Sequence, residues 1–276
     1  MRNQDAAFEA FAGVPPTVSR RRRAAQKVGT TINKVKPKDG FSQIVHIVLV
    51  ILLPITMYIF VRVGFAQIAA ALVLLSKWRM FSVKARHWPA NIRANAIDIV
   101  VGLSTVLYMD RTESVGIQLL WVVLYAVWLL VIKPKSGQVW VALQALIGQT
   151  VGLMALYIVY GAAPAFALVA ATTFICYFAA RHFFTAFDEQ MGRTIAYVWA
   201  YIAATLTWLL THWLIYYGLI AQPVLLLSVI GYALAGMYYL QHTDRLSKGV
   251  QQQFVFVLAA ILLIVLVFSD WGDKTL

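Results

Sequence analysis

The sequence predicts an all-α, polytopic membrane protein: a bundle of about nine transmembrane helices with no soluble domain. Hydrophobic residues make up 61% of the 276-residue chain and charged residues only 12%, whereas soluble domains average about 45–50% apolar and about 25% charged. The apolar residues are gathered in repeated long runs joined by short loops. Most runs approach the roughly 20 residues that a helix needs to cross the hydrocarbon core of a bilayer.

Seven runs are long enough to span a bilayer, and two are marginal. Residues 65–81 can span only if Lys77 and Arg79 extend their charged ends to the interface. Residues 95–109 are short, but a helix that begins after Pro89 is long enough, since proline is tolerated in the first helical turn. The seven clear spans are 43–63, 115–132, 138–160, 164–183, 194–216, 219–240 and 252–269.

The distribution of positive charge predicts nine crossings, with the N-terminus in the cytoplasm and the C-terminus outside. On this path only Arg62, Arg111 and Lys274 lie outside, so 20 of the 23 Lys and Arg residues lie inside. Such an excess of positive charge on cytoplasmic segments is the rule for membrane proteins. Short loops and the lack of a targeting segment favour a multi-pass protein of the cytoplasmic (cell) membrane of a prokaryotic cell.

The nine-span path divides the chain into three parts. Residues 1–40 are expected to form a basic, disordered cytoplasmic tail, residues 41–270 the transmembrane bundle, and residues 271–276 a short extracytoplasmic tail. Basic side chains close to a membrane favour anionic headgroups by about 1 kcal/mol each. Nucleic acid is not an expected partner, since no aromatic interleaving or known binding fold accompanies the charge. The predicted headgroup-binding residues are Arg20, Arg21, Arg22, Arg23 and Lys27.

Polar and small residues form a stripe on the third predicted helix. Positions 91, 95, 98, 102 and 105 fall on one helical face, and they are Asn91, Asn95, Asp98, Gly102 and Thr105. Asp98 is the one acidic residue placed within a predicted span. A carboxylate at the bilayer centre costs roughly 2.5–3.5 kcal/mol on insertion scales, so it is expected to face protein or water and to have a partner.

The sixth predicted span offers that partner at the cytoplasmic side. We expect Asp98 to pair with Arg181, with Arg93 as the competing local partner. One interpretation is an ion pair that fixes the register of two helices. The other is a cytoplasm-facing polar pocket, in which Arg181 and Asp188 share a helical face. The candidate binding residues are Asn91, Asn95, Asp98, Arg181, His182 and Asp188.

A stripe of small residues on the fifth predicted helix indicates close helix packing. Ala145, Gly148, Gly152 and Ala155 lie on one face and include a GxxxG pattern. In lipid, helices associate through such close approach and through interhelical hydrogen bonds. We therefore interpret this stripe as a helix contact.

No motif identifies a chemistry. The histidines lack the spacing of a zinc or di-iron site, and the chain has no P-loop, GxSxG or dinucleotide-binding fingerprint. No catalytic residue, metal or cofactor is predicted, although a membrane enzyme is not excluded. Cys176, the single cysteine, excludes an intramolecular disulfide.

Three functions stay open. A permease-like or channel-like protein for a small molecule or lipid-linked solute fits many helices and short loops. A non-catalytic assembly or scaffold subunit of a membrane complex fits the small number of buried polar groups. A lipid-headgroup enzyme at the cytoplasmic interface is the third. The expected partners are the anionic headgroups of the bilayer and other membrane proteins or further copies of the chain.

Overall fold

The computed structural model describes residues 41–268, and nine α-helices make up most of this part of the chain. A π-helical turn, Trp128–Ile132, extends the fourth helix, and two short antiparallel strands, Tyr216–Tyr217 and Ile220–Ala221, join the seventh helix to the eighth. The helices are α1 Phe41–Arg62, α2 Ala66–Leu75, α3 Trp88–Asp110, α4 Val115–Val127, α5 Gln138–Tyr160, α6 Ala165–Thr185, α7 Gly192–Thr211, α8 Gln222–His242 and α9 Lys248–Phe268.

Seven helices, α3 to α9, are long and apolar enough to cross a membrane, α4 when it is taken together with the π-helical turn that extends it to Ile132. Among the described residues, Ile47–Arg62 of α1 and the whole of α2 form shorter apolar helices. The helices therefore support an integral membrane protein. The membrane itself, the number of crossings and the orientation stay predictions.

The second predicted span differs from the structure. Residues 65–81 do not form one helix: α2 ends at Leu75 and a single 3₁₀ turn, Trp78–Phe81, follows after a short turn. Ten residues give only about 15 Å of helix, half the roughly 30 Å of hydrocarbon. At this end the Ser76 hydroxyl donates to the Val73 carbonyl, the backbone N–H of Lys77 donates to the Leu74 carbonyl three residues back, and the Lys77 side chain pairs with a carboxylate.

Proline and glycine fix several helix boundaries. Pro89 lies in the first turn of α3, as predicted from its tolerated missing N–H. Gly218 adopts a left-handed φ of +64° in the turn between the two short strands. This hairpin replaces the ends of two predicted spans, so that α7 ends at residue 211 and α8 begins at residue 222.

Helix α3 is the most buried of the seven long helices and packs closely against α5. A Cβ atom on Gly148 would lie only 2.6 Å from the side chain of Ile97, and one on Gly152 would collide with Val100. The GxxxG prediction of a helix contact is thus confirmed: absence of two side chains on α5 lets the α3 backbone approach. Helix α9, in contrast, is almost entirely exposed.

Basic residues gather at one end of the helices. The connections at this end are residues 76–87, 133–137, 186–191 and 243–247, and we call it the basic end. Hydrogen bonds between α5 and the connection before it, and between α6 and α5, tie the segments of this end together. The candidate site lies here.

Candidate functional site

Asp98 on α3 lies in a closed cluster of positively charged partners. The side chain is buried, and one carboxylate oxygen accepts from Lys77 Nζ at 3.2 Å and pairs also with Lys133 Nζ. The other oxygen accepts from Trp128 Nε1 at 3.2 Å. The expected pairing of Asp98 with Arg181 is wrong.

Two helix ends meet Asp98 in this cluster. Lys77 follows the last turn of α2, and Lys133 follows the π-helical turn whose wider ring is closed by Lys133 N–H and the Trp128 carbonyl, 2.9 Å apart. Carbonyl groups at helix C-termini carry partial negative charge, which favours the ammonium groups in this position. A single carboxylate thereby connects α2, α3 and the end of α4.

The two asparagines of the stripe bind backbone. Asn91 Nδ2 donates to the Met80 carbonyl at 3.1 Å, and Asn95 Nδ2 donates to the Asn91 carbonyl at 2.9 Å. Asn91 thus holds the 3₁₀ turn before α3 against the first turns of that helix. Their predicted role in ligand binding has no contact in its favour.

Beyond Asp98, the stripe is a packing surface. Gly102 and Thr105 are buried, and a Cβ on Gly102 would lie 2.6 Å from Val73 and 2.7 Å from the Tyr125 hydroxyl. The face therefore contacts α2 and α4.

A cavity of about 550 Å³ lies at the basic end between α3, α6 and the start of α5. Its volume lies within the roughly 300–1,000 Å³ of small-molecule sites. Of the six predicted binding residues, Arg181 and His182 line this cavity and the other four do not. The lining residues are Ala90, Arg93, Ala94, Ser136, Val141, Arg181, His182, Thr185 and Ala186.

The cavity is positively charged and contains unmet hydrogen-bonding capacity. Arg181 Nε is buried without a hydrogen-bond partner among residues 41–268, and the guanidinium forms no ion pair within the same residues. Arg93, the expected local competitor for Asp98, instead donates from Nε to the Pro89 carbonyl of its own helix at 3.2 Å. The lining residues include no carboxylate.

The hydrogen bonds of Gln144 fix the tautomer of His182. Gln144 Nε2 donates to the carbonyls of Ile132 at 2.7 Å and Lys135 at 3.0 Å, so the amide oxygen is left to accept. His182 Nε2 lies 3.0 Å from that oxygen and must carry the proton. Nδ1 then has a lone pair in the neutral ring and a proton in the charged ring, and either can serve a ligand.

The helical spacing predicts that Asp188 shares a face with Arg181, and the structure shows that it does not. Helix α6 ends at Thr185, and Asp188 lies in the following connection with a φ of +49°. A left-handed residue breaks the helical periodicity on which the prediction rested. Asp188 is absent from the lining of the cavity.

The next acidic residue, Glu189, binds α8. The Tyr238 hydroxyl donates to Glu189 Oε2 at 2.6 Å, and this hydrogen bond lowers the pKa of the Glu189 carboxyl. The backbone N–H of Met191 donates to the other carboxylate oxygen at 3.2 Å. Glu189 therefore joins the connection after α6 to the end of α8.

Several residues of this end were missed by sequence reasoning. Lys77, Trp128 and Lys133 bind Asp98, Gln144 orients His182, and Ser136 lines the cavity. The signal for the lysines was available, because both follow apolar segments at the side of the membrane predicted for Asp98. Nothing in the sequence favoured them over Arg181.

Other predictions fall where the structure gives no test. Arg20, Arg21, Arg22, Arg23 and Lys27 lie outside the described residues, as do both predicted tails. Within residues 41–268, no group of three His, Cys, Asp or Glu side chains is placed to hold a metal ion. No family model, curated protein or solved structure matches this chain.

Proposed function

We propose that this chain is a permease-like integral membrane protein whose ligand carries an anionic group, bound in the cavity at the basic end. Arg181 and Arg93 hold the anion, and His182 completes the site. The ligand class is a small molecule or lipid-linked solute that presents a phosphate or carboxylate.

The observation that carries the proposal is the side chain of Arg181, which lines a cavity without a carboxylate and whose buried Nε has no hydrogen-bond partner within residues 41–268. An unmet buried donor costs about 1–3 kcal/mol, and more when the group is charged. A planar guanidinium binds phosphate or carboxylate through two parallel hydrogen bonds, which supplies the missing acceptors. Anion binding thus relieves a cost that the folded chain otherwise carries.

The arrangement around Asp98 favours this function over a headgroup enzyme. A general base or metal ligand at Asp98 would need a free carboxylate. Two ammonium groups and an indole N–H already occupy that carboxylate, and the cavity lies on other residues.

Binding is tested by thermal unfolding of the purified full chain in nanodiscs of neutral phosphatidylcholine. The probes are inorganic phosphate, citrate and added phosphatidylglycerol, each compared with sodium chloride at equal ionic strength. A site-specific ligand raises the unfolding temperature, by about 2–4 °C for each kcal/mol of binding energy. We expect Arg181→Gln to weaken this effect at least about tenfold in ligand concentration, which corresponds to about 1.4 kcal/mol.

Arg86→Gln is the matched control, because Arg86 is an exposed arginine of the same end whose Nε donates to its neighbour His87. Equal losses of ligand stabilisation in both variants would mean that the stabilisation depends only on overall positive charge, and would overturn the site. Stabilisation by phosphate or citrate identifies a soluble anion, and stabilisation by phosphatidylglycerol alone identifies a lipid headgroup. No stabilisation by any probe overturns the proposal.

The permease part has its own readout in proteoliposomes. Release of trapped radioactive phosphate and flipping of fluorescent phosphatidylglycerol are measured for wild type and Arg181→Gln. Movement of either probe that depends on Arg181 supports transport. Intact binding without movement of the bound probe overturns transport and leaves an anion-binding membrane protein.

A further inference from the structure

A second cavity, of about 240 Å³, opens on the opposite face of α6 from the anion site. It lies between α5, α6, α7 and α8, and we call it the groove. At its inner end are Gln149 and Trp199, and at its outer end, nearer the basic end, lies Tyr238. Leu234, at its rim, is 45% exposed on the surface that faces the bilayer in a membrane-spanning bundle.

The groove is lined almost wholly by carbon. Its polar groups are already hydrogen-bonded: Trp199 Nε1 donates to Gln149 Oε1 at 3.0 Å, and Gln149 Nε2 donates to the Leu227 carbonyl at 3.1 Å. Apolar cavities stay dry, so water is not the natural occupant. An empty groove would forfeit the dispersion contacts of its walls.

The dimensions of the groove admit a single chain of carbon atoms. Along α8 it runs from residue 231 to residue 238, about 10 Å at 1.5 Å per residue. A volume of 240 Å³ spread over that length is a slot roughly 5 Å wide for the centres of entering atoms, or about 8 Å between the surfaces of its walls. A helix with its side chains is about 10–12 Å wide and does not enter.

We propose that the groove binds one hydrocarbon chain of a bilayer lipid. The chain enters past Leu234 and ends against Trp199, where it covers carbon surface that the four helices leave open. Because the groove reaches about 16 Å from the end of α8, only the hydrocarbon part of a lipid reaches Trp199. This proposal does not depend on the anion site.

Brominated acyl chains test the proposal, because bromine quenches tryptophan fluorescence on contact. The full chain is reconstituted in phosphatidylcholine with and without bromine on the chains, as wild type, Trp199→Phe and Trp208→Phe. Trp208 lies on the same helix and is 54% exposed, whereas Trp199 is 8% exposed. The fluorescence of each tryptophan is the difference between wild type and the variant that lacks it. We expect brominated lipid to quench the fluorescence of Trp199 by the same fraction as that of Trp208.

Substitutions that fill the groove test whether the quenching of Trp199 requires an acyl chain inside the groove or only lipid near it. Ala180→Phe from α6, or Ala235→Leu from α8 if the first variant fails to fold, is expected to abolish the quenching of Trp199 and leave that of Trp208 unchanged. Ala170→Leu, at an exposed position of α6 outside the groove, is expected to change neither. If bromine quenches Trp208 but not Trp199 in wild type, the proposal is overturned. This holds whether a small apolar molecule or a second copy of the chain then covers the groove. Quenching that persists in the filled variants overturns it equally.

Discussion

Two charged regions of the basic end differ in how completely their charges are partnered. In the Asp98 cluster, one buried carboxylate meets two ammonium groups and an indole N–H. In the anion site, two guanidinium groups and an imidazole face a cavity without a carboxylate. Gln144 lies between the two regions, because it bonds both His182 and the carbonyl of Ile132 in the π-helical turn.

The difference separates structural charge from functional charge. Buried charge is costly unless it is paired, so a buried carboxylate whose two oxygens are both bonded by protein groups indicates a role in holding helices together. Charge that the fold leaves unpartnered, in a cavity of small-molecule size, indicates a place for a ligand. Asp98 is the first functional candidate from the sequence, and its contacts with Lys77, Lys133 and Trp128 favour a structural role.

The largest expected effect breaks the Asp98 cluster. Asp98→Asn leaves two ammonium groups without a counter-charge, and removal of one partner from a buried pair costs about 3–5 kcal/mol. Arg181→Gln removes a buried donor that has no partner within residues 41–268, so it is expected not to destabilise the ligand-free chain and to stabilise it by up to about 1–3 kcal/mol. Unfolding of both variants by SDS in mixed micelles measures the two values.

A second substitution checks the mechanism of that loss. Lys77→Met in the Asp98→Asn background removes one unpaired buried charge, so the double variant is expected to be more stable than Asp98→Asn alone. Equal stability of Asp98→Asn and Arg181→Gln would remove the distinction between the two regions.

The next effect contrasts two faces of α3. Gly102→Ala places a methyl group against Val73 and the Tyr125 hydroxyl, and overpacking of this kind costs about 1–3 kcal/mol. Ala94→Leu points into the anion site instead and is expected to be neutral for stability while it weakens phosphate binding. The same micelle unfolding and the phosphate-dependent shift give the two readouts. A destabilised Ala94→Leu with unchanged binding would contradict the assignment of the faces.

The smallest effect concerns Glu189, which is partly exposed and joins the connection after α6 to Tyr238. Because the folded-state pKa is lowered, its contribution to stability is present above the ordinary glutamate pKa of about 4.3 and is lost as pH falls through the lowered value. The stability difference between wild type and Glu189→Gln is therefore expected to be small at neutral pH and to shrink as the pH falls below the ordinary glutamate pKa. A difference in unfolding temperature that grows on acidification would contradict the hydrogen bond to Tyr238.

Helix positions were largely predictable, and helix partners were not. The long apolar runs and Pro89 locate α3 to α9 within a few residues, except where the hairpin at 216–221 intervenes. The GxxxG of α5 was correctly read as a contact, although α3 could not be named as its partner. The prediction of one span over residues 65–81 was wrong, because a marginal apolar run can end early when a polar residue after it pairs inside the protein.

The candidate site was predictable only in part for the same reason. Periodicity puts Asn91, Asn95 and Asp98 on one face, and that face is indeed turned toward protein. It does not say which neighbour the face meets. Arg181, Lys77 and Lys133 were all available at one end of the bundle.

By itself the sequence determined that this chain forms apolar helices of membrane-spanning length, because in lipid each helix must satisfy its own backbone hydrogen bonds and this requirement is local. It also determined that a carboxylate on α3 must find a cationic partner. The tertiary structure decided which cations those are, since helix-to-helix distances depend on packing between residues far apart in the chain. In that packing Lys77 and Lys133 pair with Asp98, and Arg181 lines the open cavity instead.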